Sequence, residues 1–157
     1  MLKINYMIEA KGVIDELNCH LGKAAAMAKI DLPEVVEEVI EIQKNNFLVS
    51  YSLNNKTKIT SKNISFLENK EKKYKEIVGK FDGFILQGGS LLGAEIHIAR
   101  AVNRRLFRQV TYCSATGIHV DGVIFDYLNK LSNYLFILSK YINHRLGVEE
   151  IKVYGEQ

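Results

Sequence analysis

Residues 91–113 read LLGAEIHIARAVNRRLFRQVTYC, and this stretch decides the fold class. Its apolar residues recur at steps of three and four, the period of one face of an α-helix. These positions are Leu92, Ile96, Ala99, Val102, Leu106 and Val110. The same spacing returns in residues 124–142, beyond the next two glycines. Two long amphipathic helices in succession predict an all-α protein.

The remaining sequence predicts three further helices. Pro33 suits the first turn of a helix, where a missing N–H costs no hydrogen bond. Glycines group at the predicted breaks between helical segments. We therefore predict a five-helix bundle with short connections. The expected bounds are residues 9–29, 34–53, 61–78, 91–113 and 120–146.

Two short segments permit more than one interpretation. Residues 81–86 are apolar and could form a strand, but no partner strand is evident, so we favour an extended linker. Residues 69–76, NKEKKYKE, form a charged run. We interpret this run as the solvated end of the third helix.

Composition limits the classes of function. A chain of 157 residues that is 47% hydrophobic and 25% charged fits one globular domain, residues 1–157. The net charge of +3 is too small to indicate nucleic acid without local clustering. No apolar run approaches the length of a membrane span, and the start MLKINYMIEAKG lacks the apolar core of a signal peptide. We expect no membrane association and a cytoplasmic location.

Metal and P-loop chemistry are not indicated by the residues. Cys19 and Cys113 have no paired spacing, which fits a reducing compartment better than a disulfide framework. The four histidines show no ligand spacing with a carboxylate or cysteine, so no metal site made by the protein is predicted. A Walker-type loop is also missing.

The fourth predicted helix contains an arginine stripe. Arg100, Arg104 and Arg108 recur every four residues along one face, and Arg105 lies one step round. Like charges at this spacing repel each other. Arginine at all four positions suits bidentate binding of phosphate oxygens, which predicts a polyphosphate site. Pairing of the stripe with acidic residues of another helix is the open alternative.

Two other motifs add to the stripe. In residues 84–90, FILQGGS, an apolar run leads to a Gly-Gly turn that a ligand could approach closely, and Ser90 is placed to cap the fourth helix. In residues 12–18, GVIDELN, Asp15 and Asn18 share a helix face. For Asp15 and Asn18 the alternatives are a surface patch or an Asp–Arg ion pair, and such an ion pair would itself orient the arginine.

Together these motifs resemble the PduO-type ATP:cob(I)alamin adenosyltransferases. Four stretches contain the likeness: residues 12–18 (GVIDELN), 84–90 (FILQGGS), 97–108 (HIARAVNRRLFR) and 127–132 (YLNKLS). The resemblance implies a five-helix bundle that forms a homotrimer, with active sites between adjacent subunits. It also implies that the cobalt of reduced cobalamin attacks the ribose 5′ carbon of ATP, with Mg²⁺ present, and that triphosphate leaves. The resemblance further implies a cobalamin-dependent enzyme or a reductase as a partner.

The resemblance assigns catalytic roles by position. Arg100 would pair with Asp15 at or near the subunit interface. Arg104 would contact the ATP phosphates, with Arg105 and Arg108 close by.

The resemblance also assigns binding roles to six other residues. The nucleotide would be contacted by Lys3, Asn18 and Asn129, and the corrinoid by Phe84, with Gly88 and Gly89 in the adjoining turn. Phe84 would close the lower face of the corrin and displace the axial ligand.

Several positions depart from the family pattern. The family's N-terminal phosphate loop is expected upstream of Lys3 and is not in this sequence. Phe107 replaces a glutamate, and Gln87 replaces a proline. Lys130 and Asn133 replace an arginine and an aspartate. These changes affect ATP affinity and turnover rather than the fold. The alternative function is therefore a non-catalytic corrinoid- or nucleotide-binding relative, such as a sensor, chaperone or partner, and a purely structural bundle is a third.

Overall fold

The computed structural model describes residues 2–80 and 83–153, with side chains from residue 5 onward. Five helices dominate this part, as predicted: α1 (Leu2–Asp31), α2 (Val36–Ser52), α3 (Ser61–Val78), α4 (Leu91–Ala115) and α5 (Gly122–Arg145). A single 3-10 turn, Pro33–Val35, leads into α2. Two short strands are β1 (Phe84–Ile85) and β2 (Lys152–Val153). Within the described ranges, no helix combines the length and hydrophobicity required to cross a membrane.

Local sequence explains where the helices begin and end. The backbone N–H of Thr60 donates to Asn63 Oδ1 (2.9 Å) at the start of α3. Gly79 ends that helix with a positive φ of 76°, which glycine adopts without steric cost. The prediction for α3 is therefore confirmed at both ends. Helix α1 begins earlier than predicted because its first turns contain neither glycine nor proline.

The helices form a closed bundle. Helix α1 packs against α2 and α4, α5 packs against α4, and α3 packs against α5. The carboxylate of Glu38 on α2 accepts hydrogen bonds from Tyr74 on α3 and Tyr134 on α5, which joins the two ends of this series. The core between the helices is apolar and includes Leu17, Leu21, Ile42, Ile96, Leu106, Tyr127 and Leu135.

The linker prediction for residues 81–86 is wrong at Phe84 and Ile85, which form a strand, while residues 81 and 82 lie outside the described residues. Strand β1 pairs antiparallel with β2, so that Phe84 faces Val153 and Ile85 faces Lys152. The partner strand arrives from the segment after α5, far away in sequence. We call this pair the β-ribbon; it joins the segment before α4 to the segment after α5.

The charged run at residues 69–76 is only partly solvated, contrary to the prediction. Glu71 and Tyr74 are both buried. The carboxylate of Glu71 forms ion pairs with Lys75 and with Lys130 on α5, the latter at 3.4 Å. One face of the run therefore helps to attach α3 to α5.

Candidate active site

Three of the four arginines line a groove between α4 and α5. It encloses a cavity of about 390 Å³. The lining residues are Arg100, Arg104, Phe107, Arg108, Asn129, Ser132 and Asn133. We call this cavity the arginine groove. Helical spacing brings the cations to one face, and the packing of α5 against α4 brings Asn129 opposite them.

Arg100 is the least exposed of the three cations. Its guanidinium carbon lies 5.3 Å from the centre of the Phe136 ring on α5, within the range of a cation–π contact. Its Nε atom is buried and has no hydrogen-bond partner within the described residues. Burial, with a further contribution from the charge of Arg104, lowers the pKa of Arg100 from its ordinary value. Since arginine still remains protonated, the groove holds a partly desolvated positive charge.

Arg104 and Arg108 are exposed. Arg108 Nη1 donates to the backbone carbonyl of Arg104 (3.2 Å). No acidic side chain of residues 5–80 or 83–153 forms an ion pair with Arg100, Arg104 or Arg108. The positive charge of these three arginines is therefore not balanced by an acidic side chain within the described residues.

Arg105 differs from the other three arginines. It forms an ion pair with Glu16 on α1 and does not line the arginine groove. For this one residue, the ion-paired alternative considered for the stripe is the arrangement that the structure contains. Its expected proximity to the ATP phosphates stays a prediction.

The predicted residues of α1 lie apart from the groove. Asp15 is exposed and makes no ion pair with Arg100 among the described residues. Asn18 bonds to α2: its Nδ2 donates to Gln43 O (3.2 Å), and its Oδ1 accepts from Asn46 Nδ2 (2.8 Å). Within one chain, Asn18 thus has a structural set of partners. Lys3 belongs to α1, but its side chain is outside the described residues.

The Gly-Gly turn forms the start of α4. Ser90 Oγ accepts a hydrogen bond from the backbone N–H of Gly93 (2.9 Å), which confirms the predicted cap. Gly89 has a φ of 93°, which disfavours any residue with a Cβ atom. Beneath the turn lies Asn143 of α5, which sequence reasoning missed. No local pattern marks it, because its partners are distant in sequence.

The β-ribbon has one exposed apolar face. Alternate residues of a strand point to the same side, and paired residues share that side. The pairing Phe84–Val153 therefore places Leu86 and Ile151 on the same face, where Leu86 N donates to Ile151 O (2.9 Å). The exposed fractions are 73% for Phe84, 51% for Leu86, 66% for Ile151 and 38% for Val153. We call these four side chains the ribbon face; only Phe84 among them was a predicted site residue.

His97 lies one turn before Arg100 and is buried. Its ring packs edge-on against Phe136, with centroids 6.4 Å apart. Burial is the main cause that lowers the pKa of His97, so its imidazole is neutral at pH 7. The described residues include no group of three His, Cys, Asp or Glu side chains that could hold a metal ion.

Comparison with known proteins identifies the family. The family model for cobalamin adenosyltransferase matches residues 1–142. A corrinoid adenosyltransferase of Bacillus subtilis is 30% identical, over 96% of this chain and 81% of its own length. A cobalamin adenosyltransferase of Cupriavidus metallidurans is 31% identical, over 95% and 81% respectively.

A solved structure supports the fold independently. It is a variant PduO-type ATP:corrinoid adenosyltransferase from Lactobacillus reuteri complexed with cobalamin and ATP, and it superposes with a TM-score of 0.88. The match covers 96% of this chain and 87% of that chain at 24% identity. The resemblance inferred from the four sequence motifs is thus confirmed, and this chain belongs to the cobalamin adenosyltransferase family.

Proposed function

We propose that this protein transfers the adenosyl group of ATP to the cobalt of reduced cobalamin and releases triphosphate. The observation that supports this function most directly is the arginine groove, with three cations that have no acidic partner in the described chain. In the reaction, an electron pair of cobalt forms the bond to the 5′ carbon. The bond from that carbon to the triphosphate oxygen breaks, and its electron pair leaves with triphosphate.

The arginine groove suits the leaving group. Negative charge develops on the departing oxygen, and fixed cations at that point stabilise the transition state. We assign Arg104 to the phosphates because it is exposed and lines the groove, with Arg108 beside it. Asn129, on the opposite wall, would contact the nucleotide. The protein then has no covalent chemistry to perform beyond orienting its two substrates.

The ribbon face suits the corrinoid. A corrin ring offers a wide apolar surface, and contact with Phe84 would remove both surfaces from water. We extend the predicted contact set from Phe84 to Leu86, Ile151 and Val153, because all four share one exposed face. In the adjoining turn, the space beside Gly88 is open and leaves room for a large ligand, whereas the corresponding space at Gly89 is filled by Asn143.

A homotrimer would complete the site. Asp15 and Arg100 make no ion pair with each other inside the described chain, so Asp15 of a second copy could supply the missing anion. Ile98, on the outer side of α4, is 45% exposed and could join such an interface. Light scattering of the purified protein should give three times the chain mass of 17.9 kDa. A monomer at the assay concentration would contradict the trimer.

The supporting components follow from the chemistry. ATP would arrive as its Mg²⁺ complex, with the metal held mainly by phosphate oxygens. Reduced cobalamin requires a reductant, so a reductase or a cobalamin-dependent enzyme in the cytoplasm is the proposed partner.

A turnover assay tests the function. The purified protein is mixed with Mg-ATP and chemically reduced cobalamin, and adenosylcobalamin and triphosphate are measured together. We expect the two products in equal amounts. Binding of both substrates without product would instead support the non-catalytic alternative. If the protein binds neither ATP nor cobalamin, both the adenosyl transfer and the non-catalytic binding function are excluded.

A matched pair of variants tests the corrinoid site. Phe84→Ala should lower the fraction of cobalamin that loses its lower axial ligand, which absorbance spectra report. Phe47→Ala is the control, because Phe47 is similarly exposed (68%) but lies on α2. An equal effect of both changes would contradict the assignment of the ribbon face.

A further inference from the structure

Asn143 is fully buried beneath the turn that connects β1 to α4. Its Oδ1 accepts hydrogen bonds from the backbone N–H of Ser90 (2.9 Å) and from Ser90 Oγ (2.7 Å). Its Nδ2 donates to the carbonyl oxygen of Gly88 (3.0 Å). One side-chain amide of α5 thus satisfies polar groups on both sides of Gly89.

The turn is also fitted sterically to this amide. A Cβ atom on Gly89 would lie 2.5 Å from Asn143 Nδ2, and one on Gly93 would collide with Asn143 Oδ1. Contacts this short do not occur, so a side chain at either position would displace the turn or Asn143. The glycines are therefore required by the close approach of Asn143 as well as by backbone conformation.

Asn143 also orients the cap of α4. Because Asn143 Oδ1 is an acceptor, the Ser90 hydroxyl donates its proton there and leaves a lone pair for the N–H of Gly93. This series of bonds runs from α5 through Ser90 into the first turn of α4. The start of α4 is therefore anchored to α5 by these bonds, and the arginines further along belong to the same helix.

The second strand of the β-ribbon is attached to the same residue. The backbone carbonyl of Asn143 accepts from Val148 N (2.9 Å) where the chain leaves α5. The Glu150 carboxylate lies 3.5 Å from Asn143 Nδ2 and accepts a hydrogen bond from Lys140 Nζ (2.7 Å). Both segments that lead to the ribbon are therefore connected to Asn143.

We propose that Asn143 is a positioning residue for adenosyl transfer, which sets the distance between the ribbon face and the arginine groove. This inference rests on the proposed function, since the two substrates occupy those two places. Asn143 itself touches neither place. Its effect would reach the reacting atoms through the turn and the ribbon, where a displacement of about 1 Å can cost on the order of a hundredfold in rate.

The test compares Asn143→Ala with Asn45→Ala. Asn45 is the matched control, since it is also buried and accepts an interhelical bond, from Asn63 Nδ2 (3.0 Å), on the α2–α3 side. For Asn143→Ala we expect kcat to fall at least about tenfold while KM for ATP changes less than about twofold. Amide hydrogen exchange in residues 84–93 should accelerate. Asn45→Ala should lower the melting temperature but change neither kcat nor that exchange.

A conservative variant covers the case in which Asn143→Ala does not fold. Asn143→Asp retains the acceptor for Ser90 and loses the donor to Gly88, so we expect an intermediate loss of kcat with faster exchange of residues 84–93. The inference is overturned if the Asn143 variants match Asn45→Ala, or if kcat falls with exchange unchanged. An inactive wild type would overturn the proposed function instead. Amide hydrogen exchange in residues 84–93 would then still test whether Asn143 holds the turn and the ribbon.

Discussion

The two sides of α4 differ in whether their charged side chains have partners of opposite charge. On the side that faces α1, each charged group has a partner: Arg105 pairs with Glu16, and the buried Glu95 accepts from His20 (2.6 Å) and Lys23 (3.1 Å). On the side that faces α5, the arginine groove contains three cations and no acid. The same helix therefore has paired charges against one neighbour and unpaired charges in the groove that we propose as the phosphate site.

We expect this difference to separate charges with a structural role from charges with a functional role. An ion pair within the chain is satisfied in the empty protein, and its removal is felt in stability. A cluster of like charges costs stability in the empty protein and is relieved only when an anion binds. Three changes, in order of decreasing effect, test whether this division is correct.

Arg104→Ala should have the largest effect. We expect adenosyl transfer to fall by about two orders of magnitude, because a cation that stabilises the leaving triphosphate is lost. The melting temperature should stay constant or rise slightly, since repulsion between Arg100, Arg104 and Arg108 is reduced. Kinetics and thermal melts measure both quantities. Arg145→Ala, which removes an exposed arginine paired with Glu34, is the control. If the melting temperature fell in proportion to the activity, the arginine stripe would have a structural role instead of a role in catalysis.

Glu95→Gln should act on stability instead. Although burial opposes ionisation, hydrogen bonds from His20 and Lys23 bring the pKa of Glu95 below its ordinary value. A lowered pKa in the folded protein stabilises it above the unfolded pKa, and this contribution is lost as the pH falls. We expect Glu95→Gln to lower the free energy of unfolding by about 1–3 kcal/mol at pH 7. As the pH falls below about 4.5, the ordinary pKa of a glutamate, wild type should lose more stability than the variant. If the free energies of unfolding of wild type and variant changed with pH in parallel, the contacts of Glu95 with His20 and Lys23 would not stabilise the fold.

Arg105→Ala should have the smallest effect. Its ion pair with Glu16 is half-exposed, and such pairs contribute about 0–1 kcal/mol. Chemical denaturation can measure this loss, and ATP binding should weaken less than in Arg104→Ala. If ATP binding weakened equally in both variants, Arg105 would belong with the groove and the division of α4 would fail.

Sequence reasoning predicted what local pattern determines. The period of apolar residues and the Gly79 break set the bounds of α3, and helical spacing brought Arg100, Arg104 and Arg108 to one face. It could not predict contacts between distant positions. Arg105 and Glu16 are separated by 89 positions, and no property of the stripe distinguished Arg105 beforehand.

The missed features share this cause. Asn143 and Ser90 are 53 positions apart, and strand β2 is too short to show a period of its own. The family motifs compensated for this limit in part, because they include residues that meet only in the folded chain. They include Ser132 and Leu86 but assigned neither a role in the site, and they do not extend to Ile151 or Val153.

The β-ribbon also bears on the order of folding. It connects the segment before α4 with the segment after α5, so its two strands are separated in sequence by both of these helices. Contacts between such distant segments form late, because closing the intervening loop costs entropy first. The surface proposed for the corrinoid would thus be completed at the end of folding. A ligand that binds only this completed surface would draw the last folding step toward the native state.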